Sequence, residues 1–419
     1  MDHKRQAKRV LVLSTTAFTM LFAVWLMFGV LGVPIKKELH LSQVQFSWLA
    51  AVAILNGSLW RLPFGVWTDR VGGRVLMTGL LIAAAVPCFL VSRATTYGGL
   101  VACAAFLGIA GNSFSVGIAW NSAWAAPTRQ GFALGTFGAG NVGASLTKLI
   151  GPALIALVPA AGVLGGLVPG GWRFVPVLYA VLLLALAAIV GLLSPSPDKL
   201  PGRGRPIGAM LSPLRHARVW RFGLYYVVVF GAYVALSLWL PTYYQTVYHL
   251  PLASAALLTA LFIFPASLLR PVGGWLSDRY GARPVTMIVF TVMSLACAAL
   301  CLPSSGAGLH IGLGMCVALV EVVGIAMGIG KASVYKYIPS YFPSDVGAVG
   351  GLVGSLGALG GFFLPLGFAY LDKLSGRPES CFWLLLGLVL GSFAWLSVVV
   401  GRLRRPAALP LEPVGSYGT

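Results

Sequence analysis

The chain has 419 residues, of which 58% are hydrophobic and 9% are charged, and its mean hydropathy is +0.88. So few polar residues cannot cover a water-soluble fold of this length, which excludes the soluble classes and predicts an integral membrane protein. The six cysteines lie in apolar stretches without metal-ligand spacing, so we expect no metal centre and no cofactor.

Twelve apolar runs, separated by charged residues or by Pro and Gly, follow one another along the chain. Each is long enough for a helix that crosses a bilayer, and we number them spans 1 to 12. They cover residues 10–33, 46–68, 75–92, 98–124, 132–158, 174–193, 219–244, 254–277, 285–303, 310–338, 347–371 and 382–402. The sequence therefore predicts an all-α membrane protein with twelve transmembrane helices.

The net charge of +19 suggests a nucleic-acid partner, but the distribution of the cations argues against one. If span 1 leaves the cytoplasm, 18 of the 29 Lys and Arg residues fall in cytoplasmic segments and six fall outside. This bias predicts a multi-pass protein of the cytoplasmic (inner) membrane with both termini in the cytoplasm. The other five cations lie inside or at the edge of spans and need another explanation: Arg61, Lys148, Arg270, Lys331 and Lys336.

One segment of the chain occurs twice. The copies at 61–74 and 270–283 are offset by 209 residues, half of 419, and align without a gap as RLPFGVWTDRVGGR and RPVGGWLSDRYGAR. Repeated halves with a substrate site between them near the membrane midplane are typical of transporters. We therefore predict a six-helix half at 1–193, a basic cytoplasmic linker at 194–218, a second six-helix half at 219–405 and a short cytoplasmic tail at 406–419.

Each copy carries an arginine within its apolar span, Arg61 in the first and Arg270 in the second. Each lies eight residues before an Asp-Arg pair, which is about 12 Å of helix and places it near the middle of a bilayer about 30 Å thick. An arginine at that depth is costly and usually faces a cavity or a partner. Because its planar fork of donors suits a trigonal oxyanion, the pair predicts an anion site.

Spans 5 and 11 repeat small residues at three- and four-residue spacing, in GFALGTFGAGNVGAS at 131–145 and GAVGGLVGSLGALGGFF at 347–363. Such faces let helix backbones approach closely. The sequence leaves open whether these glycines serve packing alone, or also the sliding of two helices or the exposure of backbone N–H groups to a small ligand.

The loop after span 2 and its copy after span 8 resemble the Gly-x-x-x-Asp-Arg-x-Gly-Arg motif of the major facilitator superfamily. The residues that fill the motif in the first half are Gly65, Asp69, Arg70, Gly72 and Arg74. The resemblance implies the major facilitator fold, with two pseudo-symmetric six-helix halves. We expect a conformational latch in which carboxylates paired with arginines are set against helix ends, formed by Asp69, Arg70, Arg74, Asp278, Arg279 and Arg283.

Within that superfamily the chain resembles the nitrate/nitrite porters. Their arginine segments are similar to Arg61-Leu62-Pro63 and to Arg270 with Gly273-Gly274. Their Gly-x-x-Phe motif in span 4 is similar to residues 111–114, and their Tyr-x-x-x-Phe-Gly motif in span 7 is similar to residues 226–231. Their two glycine-rich nitrate signatures resemble segments with Gly138, Gly140 and Gly143 in span 5 and with Gly357, Gly360 and Gly361 in span 11. The resemblance thus covers nearly the whole chain.

The resemblance implies roles for six residues of the substrate site. Arg61 and Arg270 would grip the anion. Phe114 and Phe230 would stack on its two faces, and Asn141 and Tyr226 would donate hydrogen bonds to it. Nitrate suits an aromatic slot because it is weakly hydrated, and its water is therefore removed at little cost.

Three further charges are candidates for the cavity. Lys148 in span 5 and Lys331 in span 10 either face the cavity or reach a helix carbonyl or bundle water. Lys336, nearer the end of span 10, is expected to snorkel. Glu321 is the only acidic residue within a predicted helix interior, and it either carries a proton or pairs with a cation of another helix.

The buried charges and the repeat predict a secondary transporter of an anion that works by alternating access, and the resemblance implies that the anion is nitrate, nitrite or both, with a role in nitrate assimilation. Exchange is favoured because an empty carrier with uncompensated buried cations resists closure, whereas a loaded carrier does not. The alternatives are proton-coupled symport through Glu321, a porter for cyanate or a short carboxylate, and a non-transporting membrane sensor of the anion. No catalytic constellation lies in the spans, so we expect a transporter, not an enzyme, that acts as a monomer in the lipid bilayer.

Overall fold

The computed structural model describes residues 3–159, 162–163, 168–304 and 310–404, and each of the twelve predicted spans contains helix within them. Spans 1 to 6 comprise His3–Trp25 with Phe28–Glu38, Gln43–Leu59 with Arg61–Val71, Gly73–Arg93, Tyr97–Leu107 with Ser113–Trp124, Gln130–Gly138 with Gly143–Leu157, and Phe174–Leu193. Spans 7 to 12 comprise Ala217–Tyr226 with Ala232–Tyr248, Leu252–Leu268 with Arg270–Tyr280, Ala282–Leu300, Leu313–Tyr341, Val346–Ser375 and Ser380–Arg404. Within the described residues, the helical stretches of ten of the twelve spans are long and apolar enough to cross a membrane. The predicted tail at 406–419 lies outside the described residues.

Several spans of the described chain are not continuous α-helices. Spans 2 and 8 are broken at single residues, Trp60 and Leu269. Span 4 contains the 3-10 segment Gly108–Asn112, span 5 the 3-10 segment Ala139–Val142, and span 7 the π-helical segment Val227–Gly231. Interruptions of this kind leave backbone groups without their regular partners, so membrane proteins keep them where other protein groups or a cavity satisfy them.

The glycine of the repeated loop lies where a helix ends with a positive φ angle. Spans 2 and 8 both end at this loop, where Gly72 and Gly281 have φ of 98° and 88°. Residues with a side chain rarely adopt this region, whereas glycine does so at little cost. The glycine of the Asp-Arg-x-Gly motif therefore reverses the chain into spans 3 and 9 in the same way in both halves.

Glycines join the two halves at the end of the bundle that carries residues 194–218, which we call the linker end. A Cβ atom on Gly65 would lie 1.9 Å from the carbonyl oxygen of Gly347, and one on Gly274 would lie 2.0 Å from that of Gly131. Spans 2 and 8 thus meet spans 11 and 5 of the opposite half backbone to backbone, a contact that only small residues allow. The linker end is closed.

Each repeated aspartate contacts the start of a helix in the opposite half. Asp69 accepts a hydrogen bond from the backbone N–H of Gly347 at 2.9 Å. Asp278 accepts from the N–H groups of Gly131 at 2.8 Å and of Phe132 at 2.7 Å. The first N–H groups of a helix have no partner within the helix and favour an anion, so both contacts stabilise the closed linker end.

The ion pairs at the linker end differ from the expected carboxylate–arginine pairs. Asp278 pairs with Lys336 at 2.7 Å, so the ammonium group of this lysine lies at the linker end and bonds to a carboxylate. Within the described residues, neither aspartate forms an ion pair with a motif arginine. The arginines contact other groups: Arg74 donates to the carbonyl of Gly191, Arg283 donates to the hydroxyl of Tyr341, Arg279 lies over the Trp275 ring, and Arg70 is partly exposed. The physical reason is that helix N–H groups of the opposite half lie closer to the carboxylates.

The linker contacts both halves. Asp198 accepts a hydrogen bond from the indole N–H of Trp124 in span 4 at 2.8 Å. Arg205 forms an ion pair at 2.8 Å with Asp345, the residue before span 11. The segment between the halves is therefore held across the linker end by polar contacts.

Candidate anion-binding site

The two helix breaks place the repeated arginines. Trp60 and Leu269 have nearly the same backbone angles, φ −84° and ψ 0° against φ −82° and ψ 0°. Arg61 and Arg270 are the first residues after the breaks, and both side chains are 0% exposed. The two arginines predicted from the repeat therefore occupy the same position in two interrupted spans, inside the bundle.

Arg61 is held by backbone carbonyls of both halves. Its Nε donates to the carbonyl of Gly57 in its own span at 3.0 Å, and its Nη1 donates to that of Gly354 in span 11 at 3.0 Å. Its guanidinium carbon lies 5.4 Å from the ring centre of Trp25, a contact the sequence did not indicate. Nη2 has no hydrogen-bond partner among the described residues, so one nitrogen remains for an anion.

Arg270 has fewer protein partners. Its Nη2 lies 3.5 Å from the hydroxyl of Tyr226, which is the outer limit of a hydrogen bond. Its Nε and Nη1 are buried and have no partner in the described part of the chain. The guanidinium packs against Gly138 of the opposite half, where a Cβ atom would lie 2.4 Å from its central carbon. The two arginines together present three buried nitrogens without protein acceptors.

Aromatic rings surround both guanidinium groups. The ring centre of Phe114 lies 5.2 Å from the guanidinium carbon of Arg61 and 5.5 Å from that of Arg270, within the range of cation–π attraction. The rings of Phe114 and Phe230 are within 4° of parallel, with centres 6.3 Å apart. A flat ion in van der Waals contact with both rings needs about 7 Å between them, so the rings must part by roughly 0.7 Å or more to admit one.

Tyr335 of span 10 belongs with Phe114, Tyr226 and Phe230 to a cluster of aromatic rings around the two arginines. It was not singled out from the sequence. Its ring stands edge-on to Phe114 at 5.2 Å and to Tyr226 at 4.6 Å. Its hydroxyl donates to the carbonyl of Gly350 at 3.0 Å. The available signal was its position four residues after Lys331, which places both on one face of the helix.

Asn141 lies in the 3-10 segment of span 5, which packs against spans 1 and 8. The side chain is 1% exposed, and neither its amide nitrogen nor its amide oxygen has a hydrogen-bond partner among the described residues. A buried amide with two unpaired atoms is costly. A polar ligand would satisfy it.

The six predicted substrate residues share one local feature: each lies at or beside a helix interruption. Arg61 and Arg270 follow the breaks, Phe114 follows the 3-10 segment of span 4, Asn141 lies within that of span 5, Tyr226 precedes the π-helical segment and Phe230 lies within it. Irregular helix is frequent at functional sites, and discontinuous helices form the substrate sites of many transporters.

Lys331 is buried between spans 8 and 10. It is 0% exposed, and its Nζ donates to the carbonyl of Ala266 at 3.0 Å. The same atom lies 3.1 Å from the ring centre of Tyr233 and 5.9 Å from that of Phe230. Of the alternatives left by the sequence, the structure shows the contact with a helix carbonyl.

Within the described residues, no ion pair joins Lys148 or Glu321 to another side chain. Lys148 is exposed, on the side of span 5 opposite the exposed apolar residues Leu146, Ile150 and Leu157. Glu321 is partly buried, and its Oε1 has no partner among the described residues. Ten residues of continuous helix, about 15 Å, separate Glu321 from Lys331 along span 10.

The six signature glycines all lie where another helix approaches. A Cβ atom on any of them would lie between 2.0 and 2.9 Å from a neighbour: Arg270 for Gly138, Phe18 for Gly140, Thr19 for Gly143, Tyr226 for Gly357, Val227 for Gly360 and Val234 for Gly361. Close packing therefore accounts for all six. Two of them, Gly138 and Gly357, make room for side chains of the arginine and aromatic cluster.

The cluster carries an excess of positive charge. Arg61, Arg270 and Lys331 are fully buried, and no carboxylate of the described chain forms an ion pair with them. Buried cations without counter-charges are costly, and an anion that reaches them relieves that cost. The arrangement suits reversible anion binding.

The family of the chain follows from its sequence and its fold. The family model of the Major Facilitator Superfamily matches residues 13–365 and 252–415, and the chain belongs to this superfamily of membrane transporters. The structure is similar to that of the human organic anion transporter MFSD10 (TETRAN), with a TM-score of 0.72 and 18% identity over 94% of this chain and 100% of that one. The transporter FucP in its outward conformation gives a TM-score of 0.69 at 16% identity, over 95% of this chain and 100% of that one. The predicted fold class is confirmed.

Particular relatives narrow the comparison. The chain is 59% identical over 416 residues to the probable nitrate/nitrite antiporter NarK1 of Thermus thermophilus, covering 96% of this chain and 94% of the relative. It is 31% identical to the nitrite extrusion protein of Bacillus subtilis, covering 89% of each chain. These relatives confirm the predicted family and the prediction of a transporter instead of an enzyme.

Proposed function

We propose that this chain moves nitrate and nitrite across the cytoplasmic membrane by alternating access, exchanging one anion for the other. The observation that carries the proposal is the pair of fully buried arginines with three nitrogens that lack acceptors among the described residues. The names of the relatives, which specify nitrate and nitrite, support the choice of anion.

The chemistry of the cluster fits a flat monoanion. Arg61 and Arg270 offer planar forks of donors, which suit a trigonal oxyanion better than the point charge of lysine does. Phe114 and Phe230 would cover the two faces of the ion once they part, and Asn141 and Tyr226 would add hydrogen bonds at its edge. Nitrate and nitrite are weakly hydrated, so their transfer into an aromatic site is less costly than that of sulfate or phosphate.

The closed linker end bears on which side of the membrane the carrier is closed in this conformation. The bias of the basic residues supports a cytoplasmic position for the linker end, in which case this conformation would be that of a carrier whose cytoplasmic exit is shut. Opening that exit requires Asp69 and Asp278 to leave the helix starts of the opposite half. It also requires Arg61 to release the carbonyl of Gly354.

Exchange follows from the charge of the empty site. Without an anion, the cations repel one another in a medium of low dielectric constant, which raises the free energy of the occluded state between the two open conformations. A bound monoanion lowers that free energy, so the loaded carrier crosses and the empty carrier does not. Net movement of one anion then requires another to return.

Exchange is tested in proteoliposomes that contain the purified chain. Uptake of labelled nitrate should require internal nitrate or nitrite and should be unchanged when a pH gradient is collapsed by a proton ionophore. Uptake into vesicles without internal anion, driven by the pH gradient, would reject exchange. Nitrate binding with no flux in either direction would identify an anion sensor.

Proton-coupled nitrate symport is the second candidate, because Glu321 has an unpaired carboxylate oxygen in span 10. Under symport, Glu321→Gln would abolish uptake driven by a pH gradient while leaving exchange intact. Under exchange, the same substitution should change the rate by less than about twofold, since a neutral isostere removes only one partly buried charge. The cluster is formed by one chain, so we expect a monomer to be the transporting unit.

A further inference from the structure

The repeat offers a direct comparison of two backbone carbonyls. The offset of 209 residues that relates Arg61 to Arg270 also relates Gly57 to Ala266, four residues earlier in each span. In a regular helix these carbonyls accept from the backbone N–H of the two arginines. The breaks interrupt the helices there, and both carbonyls accept from side chains.

The two carbonyls accept from different residues. The carbonyl of Gly57 accepts from Nε of Arg61 at 3.0 Å, so the first arginine folds back along its own span. The carbonyl of Ala266 accepts from Nζ of Lys331 at 3.0 Å, and Nε of Arg270 has no partner among the described residues. A lysine from span 10 thus occupies the position that the arginine itself occupies in the first half.

A single carbonyl does not readily hold both cations. The oxygen has two lone pairs, but an arginine and a lysine bonded to it together would lie within a few ångströms of one another. No carboxylate of the described chain pairs with either group, so their repulsion would act in a buried site. Lys331 therefore keeps Arg270 away from the carbonyl of Ala266.

Lys331 is itself held by neutral groups. Its Nζ lies 3.1 Å from the ring centre of Tyr233, and the hydroxyl of Tyr233 is fixed by a hydrogen bond to Ser267 at 3.0 Å. The lysine is 0% exposed, and the carbonyl that it reaches belongs to Ala266, three residues before the break in span 8. Its ammonium group has one hydrogen-bond acceptor and an aromatic face, which fix its position without cancelling its charge.

We infer that Lys331 is a positioning residue for anion binding: by occupying the carbonyl of Ala266, it keeps the guanidinium of Arg270 free for the anion. This inference rests on the proposed function of Arg270 as an anion ligand. In the absence of Lys331, Arg270 folds back onto Ala266 as Arg61 does onto Gly57, and the site loses a donor nitrogen.

Nitrate affinity is the first test. Isothermal titration of the purified full chain with sodium nitrate should show affinity weakened at least about tenfold in Lys331→Met, the loss expected for one charge-assisted hydrogen bond. Lys331→Arg, which keeps the donor and the charge, should bind nitrate within about twofold of wild type. Lys373→Met, which removes an exposed lysine of span 11, is the matched control and should be unchanged. Wild-type affinity in Lys331→Met would overturn the inference.

The structure of the Lys331→Met variant without anion is the second test, and it does not depend on the identity of the substrate. We expect Nε of Arg270 to lie within about 3 Å of the carbonyl oxygen of Ala266, as a hydrogen bond requires. An unchanged Arg270 would overturn the inference, because a weakened affinity would then reflect lost charge alone. If Lys331→Met does not fold, Lys331→Gln serves in both tests. A wild-type chain that fails to bind nitrate would overturn the proposed function, and this structural test would still decide the inference.

Discussion

The two copies of the arginine segment have the same backbone and different hydrogen bonds. Both break at the residue before the arginine and both end at a glycine with positive φ. Yet Arg61 bonds to two carbonyls, whereas the hydrogen bonding of the Arg270 side chain within the described residues is limited to a long contact with Tyr226. Pseudo-symmetry therefore fixes where the two cations lie, and the non-repeated residues around them decide which nitrogens are available to a ligand.

The glycines of spans 5 and 11 likewise correspond between the halves in part and differ in part. An offset of 216 residues relates Gly131, Gly135 and Gly138 to Gly347, Gly351 and Gly354, and both sets pack against the arginine segment of the opposite half. One turn further, the symmetry fails: span 5 has Asn141, whereas span 11 has Gly357 against the Tyr226 ring. Tyr226 thus lies beside the position in the second half that corresponds to Asn141 in the first.

The largest expected effect comes from replacing either arginine with lysine. Lysine keeps the charge but loses the fork, so it cannot hold its present partners and an anion together. We expect nitrate exchange by Arg61→Lys or Arg270→Lys to fall at least about 100-fold, the loss of about two charge-assisted hydrogen bonds. Initial rates in proteoliposomes measure this, with melting temperatures as the folding control. A rate near that of wild type in one variant would show that only the other arginine is required.

Replacing the glycines that face the two arginines with alanine should weaken nitrate affinity to a different extent in each half. A Cβ atom at Gly138 would lie 2.4 Å from the central guanidinium carbon of Arg270, whereas one at Gly354 would lie 3.5 Å from Cδ of Arg61 and 2.9 Å from the Tyr335 hydroxyl. We expect nitrate affinity about tenfold weaker in Gly138→Ala and about threefold weaker in Gly354→Ala, from overpacking. Gly79→Ala, whose Cβ would meet no described atom outside its own stretch of helix within 4 Å, should bind nitrate as wild type does. A larger loss of affinity in Gly354→Ala than in Gly138→Ala would contradict the expected difference between the two halves.

The two aspartates at the linker end should differ in how strongly they hold the halves together. Asp278 accepts two N–H groups and pairs with Lys336, whereas Asp69 accepts one N–H. We expect Asp278→Asn to shift the equilibrium towards separated halves by about 2 kcal/mol and Asp69→Asn by about half as much. Distances between spin labels across the linker end report the populations.

Glu379→Gln is the matched control for both aspartates. It removes a carboxylate that bonds to the N–H of Ser304 in the loop before span 10, away from the linker end. The label distances should not change in this variant. Equal shifts in the two aspartate variants would show that the pair with Lys336 and the second N–H contact of Asp278 contribute little to closure.

The smallest expected effect belongs to Lys148, which has an apolar counterpart in span 11, Leu364, under the offset of 216 residues. The exposed ammonium group of Lys148 attracts anions without bonding to them, so its effect on nitrate binding is screened by salt. We expect Lys148→Met to raise the KM for nitrate about twofold at low ionic strength and not at about 0.5 M salt. A salt-independent increase would instead indicate direct contact with the anion.

Local patterns were sufficient to predict the helices and the two arginines. Hydropathy predicted the spans, and the doubled segment predicted that Arg61 and Arg270 occupy equivalent positions. Phe114 and Tyr226 were assigned through the resemblance to the porters, and the structure brings Phe114 beside both arginines and Tyr226 beside Arg270.

Contacts that depend on how one span faces another could not be predicted. Trp25 and Tyr335 are aromatic residues in apolar spans, as many others are, and only the rotation of spans 1 and 10 brings them to the cluster. The partner of Lys331 depends on a helix break in span 8. The partner of Asp69 is a helix start 278 residues further along the chain.

The hydrogen bond from Arg61 to Gly354 makes the site part of the contact between the halves. Affinity for the anion and the closing equilibrium are therefore linked thermodynamically, because the same guanidinium takes part in both. The linkage is reciprocal: whatever factor closure imposes on anion affinity, the anion imposes on closure. Substitutions far from the arginines, at the linker end, thus change apparent affinity without touching the anion.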